Sequence, residues 1–167
     1  MSAINVYEGI EDPHVYEILA RLRFIAKTTR GQRINVSTMT HEDESIYTST
    51  YRTIFTRDES RDKSLRFFKE TVEEGVRIVQ RRLASARDYD HRIANTMLWN
   101  IREAKKGIQE MTKGETYRQD TMFVSKVEAY LSLLDNSLLD HEKKLADINR
   151  RKVNVPDQAE ALPPHQR

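Results

Sequence analysis

The chain has 167 residues, with 28 basic and 26 acidic side chains, a formal net charge of +2 at neutral pH, and no cysteine. The lack of cysteine excludes disulfides, thiolate metal sites and cysteine catalysis, and the near-neutral charge argues against a protein dedicated to binding polyanions. Charged residues make up 32% and hydrophobic residues 38%, with only 5 glycines and 4 prolines, which predicts a helix-rich soluble protein of one domain.

The first third of the chain predicts two helices joined by a linker. The first helix begins at the Asp-Pro pair 12–13, an acidic cap followed by a proline suited to the first turn, and Gly31 ends it. Ile34 and Val36 alternate with polar neighbours, which favours an extended linker packed on the bundle, with a short strand as the alternative. The apolar spacing in Thr40–Arg57 favours a second helix, although its many hydroxyl and β-branched residues lower its helix propensity.

Two long helices follow in the middle of the chain. The acidic pair 58–59 opens the third helix, and the glycine within it, Gly75, indicates that another backbone approaches closely. The run 85–90 predicts a tight break, after which Asp88 or Asp90 caps the fourth helix. A helix that continues through this run is the alternative. The Lys-Gly pair 113–114 ends the fourth helix.

The strongest periodicity runs from Thr116 to Lys152 and predicts one helix of roughly 35 residues, about 50 Å long. Its seam residues follow one another at steps of three and four, and all but one are apolar. They are Val124, Val127, Leu131, Leu134, Leu138, His141, Leu145 and Ile148. Such a helix needs partners along its whole length. We interpret its histidine as a polar core residue that sets the packing register, rather than as a ligand.

Together these segments predict an all-α fold, an antiparallel up-and-down bundle of four to five helices, three of them long. We expect residues 1–152 to form the bundle domain. Residues 153–167 lack periodicity and have two proline interruptions, which predicts a flexible C-terminal tail or a peptide that orders on a partner. No signal-peptide pattern and no apolar run approaching about 18 residues is found, so we expect an intracellular protein without a membrane span.

Six basic residues near helix ends suggest an alternative function, the binding of nucleic acid through its phosphates. They are Arg77, Arg81, Arg82, Arg150, Arg151 and Lys152. Each long helix, however, begins with acidic and ends with basic residues, which complements the helix macrodipole by roughly 0.3–1 kcal/mol per charge. We therefore favour dipole complementarity and solvation as the role of these cations.

A carboxylate di-metal bundle is the third hypothesis, and it requires Glu-x-x-His within two long helices. The segment 11–14 has the right residue types but straddles a helix start, and 88–91 straddles the predicted break. We therefore predict no metal site and no cofactor. The sequence also lacks a nucleophile elbow, a Ser/His/Asp spacing and a glycine-rich phosphate loop, so we expect a protein that is not an enzyme and has no catalytic residues.

Several large apolar residues lie off the main stripes of their helices, which indicates contact with a second neighbour in the bundle or on another chain. The candidate partner-binding residues are Phe67, Trp99, Phe123, Tyr130, Leu133 and Leu139. The leading hypothesis is a non-enzymatic helical bundle that binds proteins, either copies of itself or a larger assembly.

Four segments of the first half, Leu22–Lys27, Gly31–Val36, Ser49–Thr53 and Glu59–Phe67, resemble small helical proteins of unassigned activity from large DNA viruses of eukaryotes. The resemblance implies a virion-associated role, such as a minor capsid component or an internal packing protein. It supplies no catalytic residues, and residues 90–167 fall outside it.

Overall fold

The computed structural model describes residues 7, 9–32, 34–55 and 60–154 of the chain. Within these residues the fold is all-α, as the sequence predicts, with six α-helices and a 3₁₀ turn at Val36–Thr38. The helices are α1 (Pro13–Thr29), α2 (His41–Thr53), α3 (Arg61–Leu83), α4 (Asp88–Thr112), α5 (Glu115–Arg118) and α6 (Thr121–Asn154). The predicted tail lies outside the described residues from position 155 onward.

Ion pairs near the helix ends show how the long helices are oriented. Lys152, close to the end of α6, lies 2.6 Å from Asp88 at the start of α4, so α4 and α6 are antiparallel. Arg61 and Asp120, at the starts of α3 and α6, pair at 2.9 Å, so these two helices are parallel. The short connection 84–87 makes α3 and α4 antiparallel. The helices α3, α4 and α6 therefore alternate in direction, as expected for a chain with short connections.

Helix α1 contacts α2, α3 and α4. Asp12 at its start lies 3.5 Å from Arg82 near the end of α3, so α1 and α3 are antiparallel. Arg30, just after its end, pairs with Glu110 near the end of α4 at 3.3 Å, so α1 and α4 run in the same direction. The linker between α1 and α2 forms the 3₁₀ turn rather than a strand, and Ile34 packs against the small cluster that joins these two helices.

The predicted limits of α1 are confirmed by its capping geometry. The Asp12 carboxylate accepts hydrogen bonds from the backbone N–H groups of His14 (2.9 Å) and Val15 (3.3 Å). At the other end Gly31 has φ 68°, and the N–H of the following residue donates to the Lys27 carbonyl at 2.9 Å. This is a Schellman ending, which requires the left-handed backbone that glycine adopts without strain.

Within the segment Thr40–Arg57, His41–Thr53 forms the predicted helix, α2, and Thr40 caps it by accepting from the Asp43 N–H at 3.1 Å. The predicted start of α3 at the acidic pair 58–59 is wrong. Its cap is Ser60, whose hydroxyl accepts from the Lys63 N–H at 3.1 Å. A serine supplies the hydroxyl at the required position, whereas the acidic pair lies outside the described residues.

The break between α3 and α4 is confirmed, but neither predicted acidic residue caps α4. The N-cap is Arg87, which makes no side-chain capping bond. Asp90 instead turns back to the connection, where its carboxylate accepts from the Ser85 hydroxyl and the Arg82 guanidinium, both at 2.5 Å. A charged partner and a hydroxyl thus hold this carboxylate away from the helix end.

The last long helix is divided near its start, so the prediction of one helix from Thr116 is wrong. The short helix α5 ends at Arg118, and the Asp120 carboxylate then accepts from the Phe123 N–H at 3.2 Å, which caps α6. The seam is otherwise as predicted, since Val124 and Ile148 are half-buried and the seam residues between them are buried. The buried ones are Val127, Leu131, Leu134, Leu138, His141 and Leu145.

Two glycines allow helices to approach closely. A Cβ added at Gly75 of α3 would lie 3.2 Å from Ile101 Cδ1 and 3.3 Å from Met97 Sδ, so α4 meets this glycine with side chains, and the predicted close approach of another backbone is wrong. A Cβ at Gly107 of α4 would overlap Thr29 Oγ1 and lie 3.1 Å from a backbone carbonyl oxygen of α1. These two contacts set the spacing of α4 from α3 and from α1.

Candidate interaction surfaces

One of the six predicted partner-binding residues, Phe123, is a core residue. Its side chain is 3% exposed, and its ring centroid lies 5.8 Å from that of Phe55 and 5.9 Å from that of Tyr117. The short helix α5 and the loop after α2 cover it, so its off-stripe position reflects neighbours within the chain. Phe123 is therefore part of the core and not of an exposed surface.

Two further candidates are half-buried along α3, on different sides of it. Phe67 lies on the side of α1, where the Arg21 guanidinium is 5.8 Å from its ring centroid. Tyr130 of α6 lies on the opposite side, with its ring edge-on to Phe68 at 5.8 Å. Burial raises the pKa of the Tyr130 hydroxyl well above its usual range. Both rings mainly serve the packing of the bundle.

The other three candidates are exposed and fall on two faces. Leu133 is 70% exposed on the side of α6 that points away from the buried seam. Trp99 (61% exposed) and Leu139 (48% exposed) lie instead on the side where α4 and α6 meet. The six predicted residues therefore do not form one surface.

A groove of about 560 Å³ separates α4 from α6 beside Trp99. Leu98 and Leu145 contribute apolar lining, and Trp99 forms part of its wall. The Arg102 guanidinium spans the groove to the Glu142 carboxylate through two hydrogen bonds, of which Nη2 to Oε2 is 2.7 Å long. This bond raises the pKa of Arg102 above its ordinary value, because the carboxylate stabilises the charged form.

We call this region the Trp99 surface and define it as Trp99, Arg102, Lys106, Leu139 and Ala146. The Lys106 ammonium lies 6.0 Å from the indole centroid. Leu139 precedes Glu142 by one helical turn on the same side of α6, so it extends the apolar area beyond the ion pair. An exposed indole beside a fixed guanidinium is the residue combination found at the centre of protein interfaces.

Five of the six cations of the nucleic-acid hypothesis are paired with carboxylates of the same chain. The pairs include Arg77–Glu74 (2.7 Å), Arg81–Glu74 (3.5 Å), Arg82–Asp90 (2.5 Å), Arg150–Asp147 and Lys152–Asp88 (2.6 Å). Among the described residues Arg151 makes no ion pair. Hydrogen bonds from His14 and Arg77 hold the pKa of Glu74 below its usual range. Three of these pairs each lie within a single helix, and those of Arg82 and Lys152 join a basic helix end to the acidic start of α4.

His141 is a buried polar residue, as predicted, and its role in setting the packing register stays a prediction. It is 7% exposed, and its Nδ1–H donates to the Ser137 carbonyl at 2.6 Å. The ring borders a groove of about 320 Å³ between the end of α3 and α6, whose apolar lining includes Leu83 and Ile148. Lys144 and Arg151 lie at the same groove.

The sequence did not indicate a second buried histidine, His91, which is 5% exposed at the start of α4. Its Nε2–H donates to the Ser85 carbonyl at 2.6 Å, and its Nδ1 accepts from the Lys152 ammonium at 2.6 Å. It thus links the connection between α3 and α4 to the last turns of α6. His91 and Lys152 are 61 positions apart in the chain, so no local sequence pattern predicts their contact.

Neither a metal-binding cluster nor a membrane-spanning helix is found in the part of the chain that the structure describes. Residues 7, 9–32, 34–55 and 60–154 contain no group of three histidine or acidic side chains placed to hold a metal ion. In the same part of the chain, the helices are too short or too polar to cross a membrane.

The comparisons with known proteins add no relative to this description. No protein-family model matches the sequence, and neither the characterised proteins nor the solved structures include a significant match.

Proposed function

We propose that this chain is a non-enzymatic helical bundle that binds another protein through the Trp99 surface. The bundle acts as a rigid support, and α4 and α6 present the contact residues. The partner is a protein with an apolar patch that covers the indole and a polar rim for the neighbouring charges.

The observation that carries this proposal is the exposure of Trp99, at 61% of its side chain. Tryptophan is the largest apolar side chain, and its exposure leaves a large apolar area in water. Its neighbours are held in place, because Arg102 is fixed by Glu142 on the facing helix. A partner therefore meets a preorganised contact and orders few side chains on binding.

The setting that we propose is a protein assembly, and a virion-associated one in particular. The resemblance of the segments between Leu22 and Phe67 to small helical proteins of large DNA viruses supports this setting. In such an assembly the chain is a minor capsid or internal component.

Nucleic-acid binding through the basic helix ends is the weaker candidate. Carboxylates of the chain lie beside all but Arg151 of the six cations considered, with Arg77 and Arg81 sharing Glu74, so part of this positive charge is already offset before a phosphate backbone approaches. Affinity for DNA that fell steeply with salt and was lost in Arg150→Gln/Arg151→Gln would favour this candidate over ours.

The experiment is to capture partners from extracts of the native source with immobilised protein, comparing the wild type with Trp99→Ala and Tyr51→Ala. Loss of a central interface tryptophan costs about 2 kcal/mol or more, so Trp99→Ala should bind its partner about 30-fold more weakly. Tyr51 is a suitable control, because it is an exposed aromatic residue on α2 (52% exposed). Equal capture by the wild type and Trp99→Ala would contradict the proposal.

A further inference from the structure

The side of α6 opposite its buried seam carries a second regular stripe. Its residues follow one another at steps of four and three, and all of them are exposed. They are Met122, Lys126, Ala129, Leu133, Asn136 and Asp140, which we call the outer stripe. Met122 and Leu133 are 71% and 70% exposed. This spacing is that of the contact positions of a coiled coil, and it extends over about 27 Å of helix.

The charges of the outer stripe are arranged symmetrically about Leu133. Lys126 lies seven residues before it and Asp140 seven residues after it. If two α6 helices packed antiparallel with a two-fold axis at Leu133, Lys126 of each copy would face Asp140 of the other. A parallel pair would instead bring like charges together, which is unfavourable. The charge pattern thus selects an antiparallel arrangement of two identical helices.

Contacts within one chain leave these charges free to take part. Lys126 lies 3.3 Å from Asp62, but both side chains are at least half exposed, at 50% and 68%, and such pairs contribute little. Among the described residues Asp140 makes no ion pair. A second copy can therefore offer a partner to both charges without breaking a buried interaction.

The uncharged positions fit the same register. The two Leu133 side chains meet at the axis, where each covers the other from water. Ala129 of one copy lies close to Asn136 of the other, one residue from the exact two-fold position, so a small residue leaves space for the amide. A polar residue at a single contact position is a known means of fixing register and orientation in paired helices.

We propose that the protein forms a dimer with a second copy of itself, in which two α6 helices pack antiparallel through the outer stripe around Leu133. This inference goes beyond the proposed function and does not depend on it. It uses a different face from the Trp99 surface, so a dimer still presents two Trp99 surfaces.

The test is the molar mass of the full-length protein in solution, measured by sedimentation equilibrium over a range of concentrations. The wild type should show a monomer–dimer equilibrium, and Leu133→Glu or Met122→Glu should shift it strongly to the monomer. Lys126→Glu turns two attractive contacts into repulsive ones and should weaken the dimer roughly tenfold. The double variant Lys126→Glu/Asp140→Lys exchanges the two charges and should restore the wild-type affinity.

Circular dichroism establishes that each of these surface variants is folded, and Trp99→Ala serves as the control that leaves the dimer unchanged. A wild type that stays monomeric, a Leu133→Glu variant that stays dimeric, or a double variant as weak as Lys126→Glu would overturn the inference. The proposed function is tested separately, because it fails if Trp99→Ala captures the partner as well as the wild type does, whatever the molar mass of the protein.

Discussion

At the scale of single residues, two adjacent buried polar side chains near the start of α4, Asp90 and His91, join this helix to α3 and α6. Asp90 is 7% exposed and accepts from Ser85 and Arg82, and His91 next to it accepts from Lys152. Hydrogen bonds from the Ser85 hydroxyl and the Arg82 guanidinium lower the pKa of Asp90 below its usual range, and the bond from Ser85 has the larger effect. These contacts tie together the end of α3, the start of α4 and the last turns of α6.

The shifted pKa of Asp90 predicts a specific pH dependence of stability. Because its pKa is lower in the folded than in the unfolded chain, its stabilising contribution is present above the unfolded value of about 4 and is lost as pH falls through the folded value. Asp90→Asn should therefore lower the free energy of unfolding at pH 6 and reduce its decrease between pH 6 and pH 3. Urea unfolding at both pH values measures this.

The control for that experiment is Asp140→Asn, which changes an exposed carboxyl on the outer stripe. It should retain the wild-type pH dependence when measured at a concentration where the chain is monomeric. If Asp90→Asn shows the same dependence as the wild type, the carboxylate does not stabilise the connection in the way described.

At the scale of the helices, local sequence signals predicted the helices well, but they predicted poorly which segments pack against each helix. The Asp-Pro start and Gly31 end of α1 depend on capping rules that act within a few residues. Phe123 and Leu133 both lie off the predicted seam, yet one is buried and the other exposed. Only the position of the neighbouring segments distinguishes them, and helix periodicity contains no information about it.

The division between α5 and α6 illustrates the same limit. The apolar periodicity gave no reason to stop the helix, whereas the Asp120 carboxylate caps a new one by accepting from the Phe123 N–H. Arg61 of α3 pairs with this aspartate and lies 4.5 Å from the centroid of the Tyr117 ring. A contact from a distant helix thus supports the break.

The spacing of the helices predicts different changes in stability when Gly107 and Gly75 are replaced by alanine. Alanine at position 107 would meet the backbone of α1, which cannot move aside without displacing the helix, so Gly107→Ala should destabilise the protein by about 1–3 kcal/mol. Alanine at position 75 would meet only the ends of the flexible side chains of Met97 and Ile101. Alanine has a higher helix propensity than glycine by about 1 kcal/mol, which should offset most of the free-energy cost of that contact.

Thermal and urea unfolding of the two variants measures this difference. The Gly107→Ala variant should unfold at clearly lower temperature and urea concentration than the Gly75→Ala variant. If the two were equally stable, α1 and α4 would not be in backbone contact at this position.

At the scale of the whole molecule, the apolar side chains that stabilise the fold are distinct from those that we propose bind partners. The core formed by α1, α3, α4 and α6 buries most of the large apolar side chains. The exposed ones include Trp99 and Leu139 on one face, and Met122 and Leu133 on another. In the proposed account the first face binds a different protein and the second binds another copy, so one chain can join an assembly in two directions.

The proposed role of Trp99 in binding is tested most directly by tryptophan fluorescence, because Trp99 is the single tryptophan of the chain. In the purified protein its emission should be that of an exposed indole, readily quenched by acrylamide. In a complex with the captured partner the emission should shift to shorter wavelength and become protected from quenching. An indole that is protected in the purified protein, or one that stays fully quenchable in the complex, would contradict the claim that Trp99 is the contact residue.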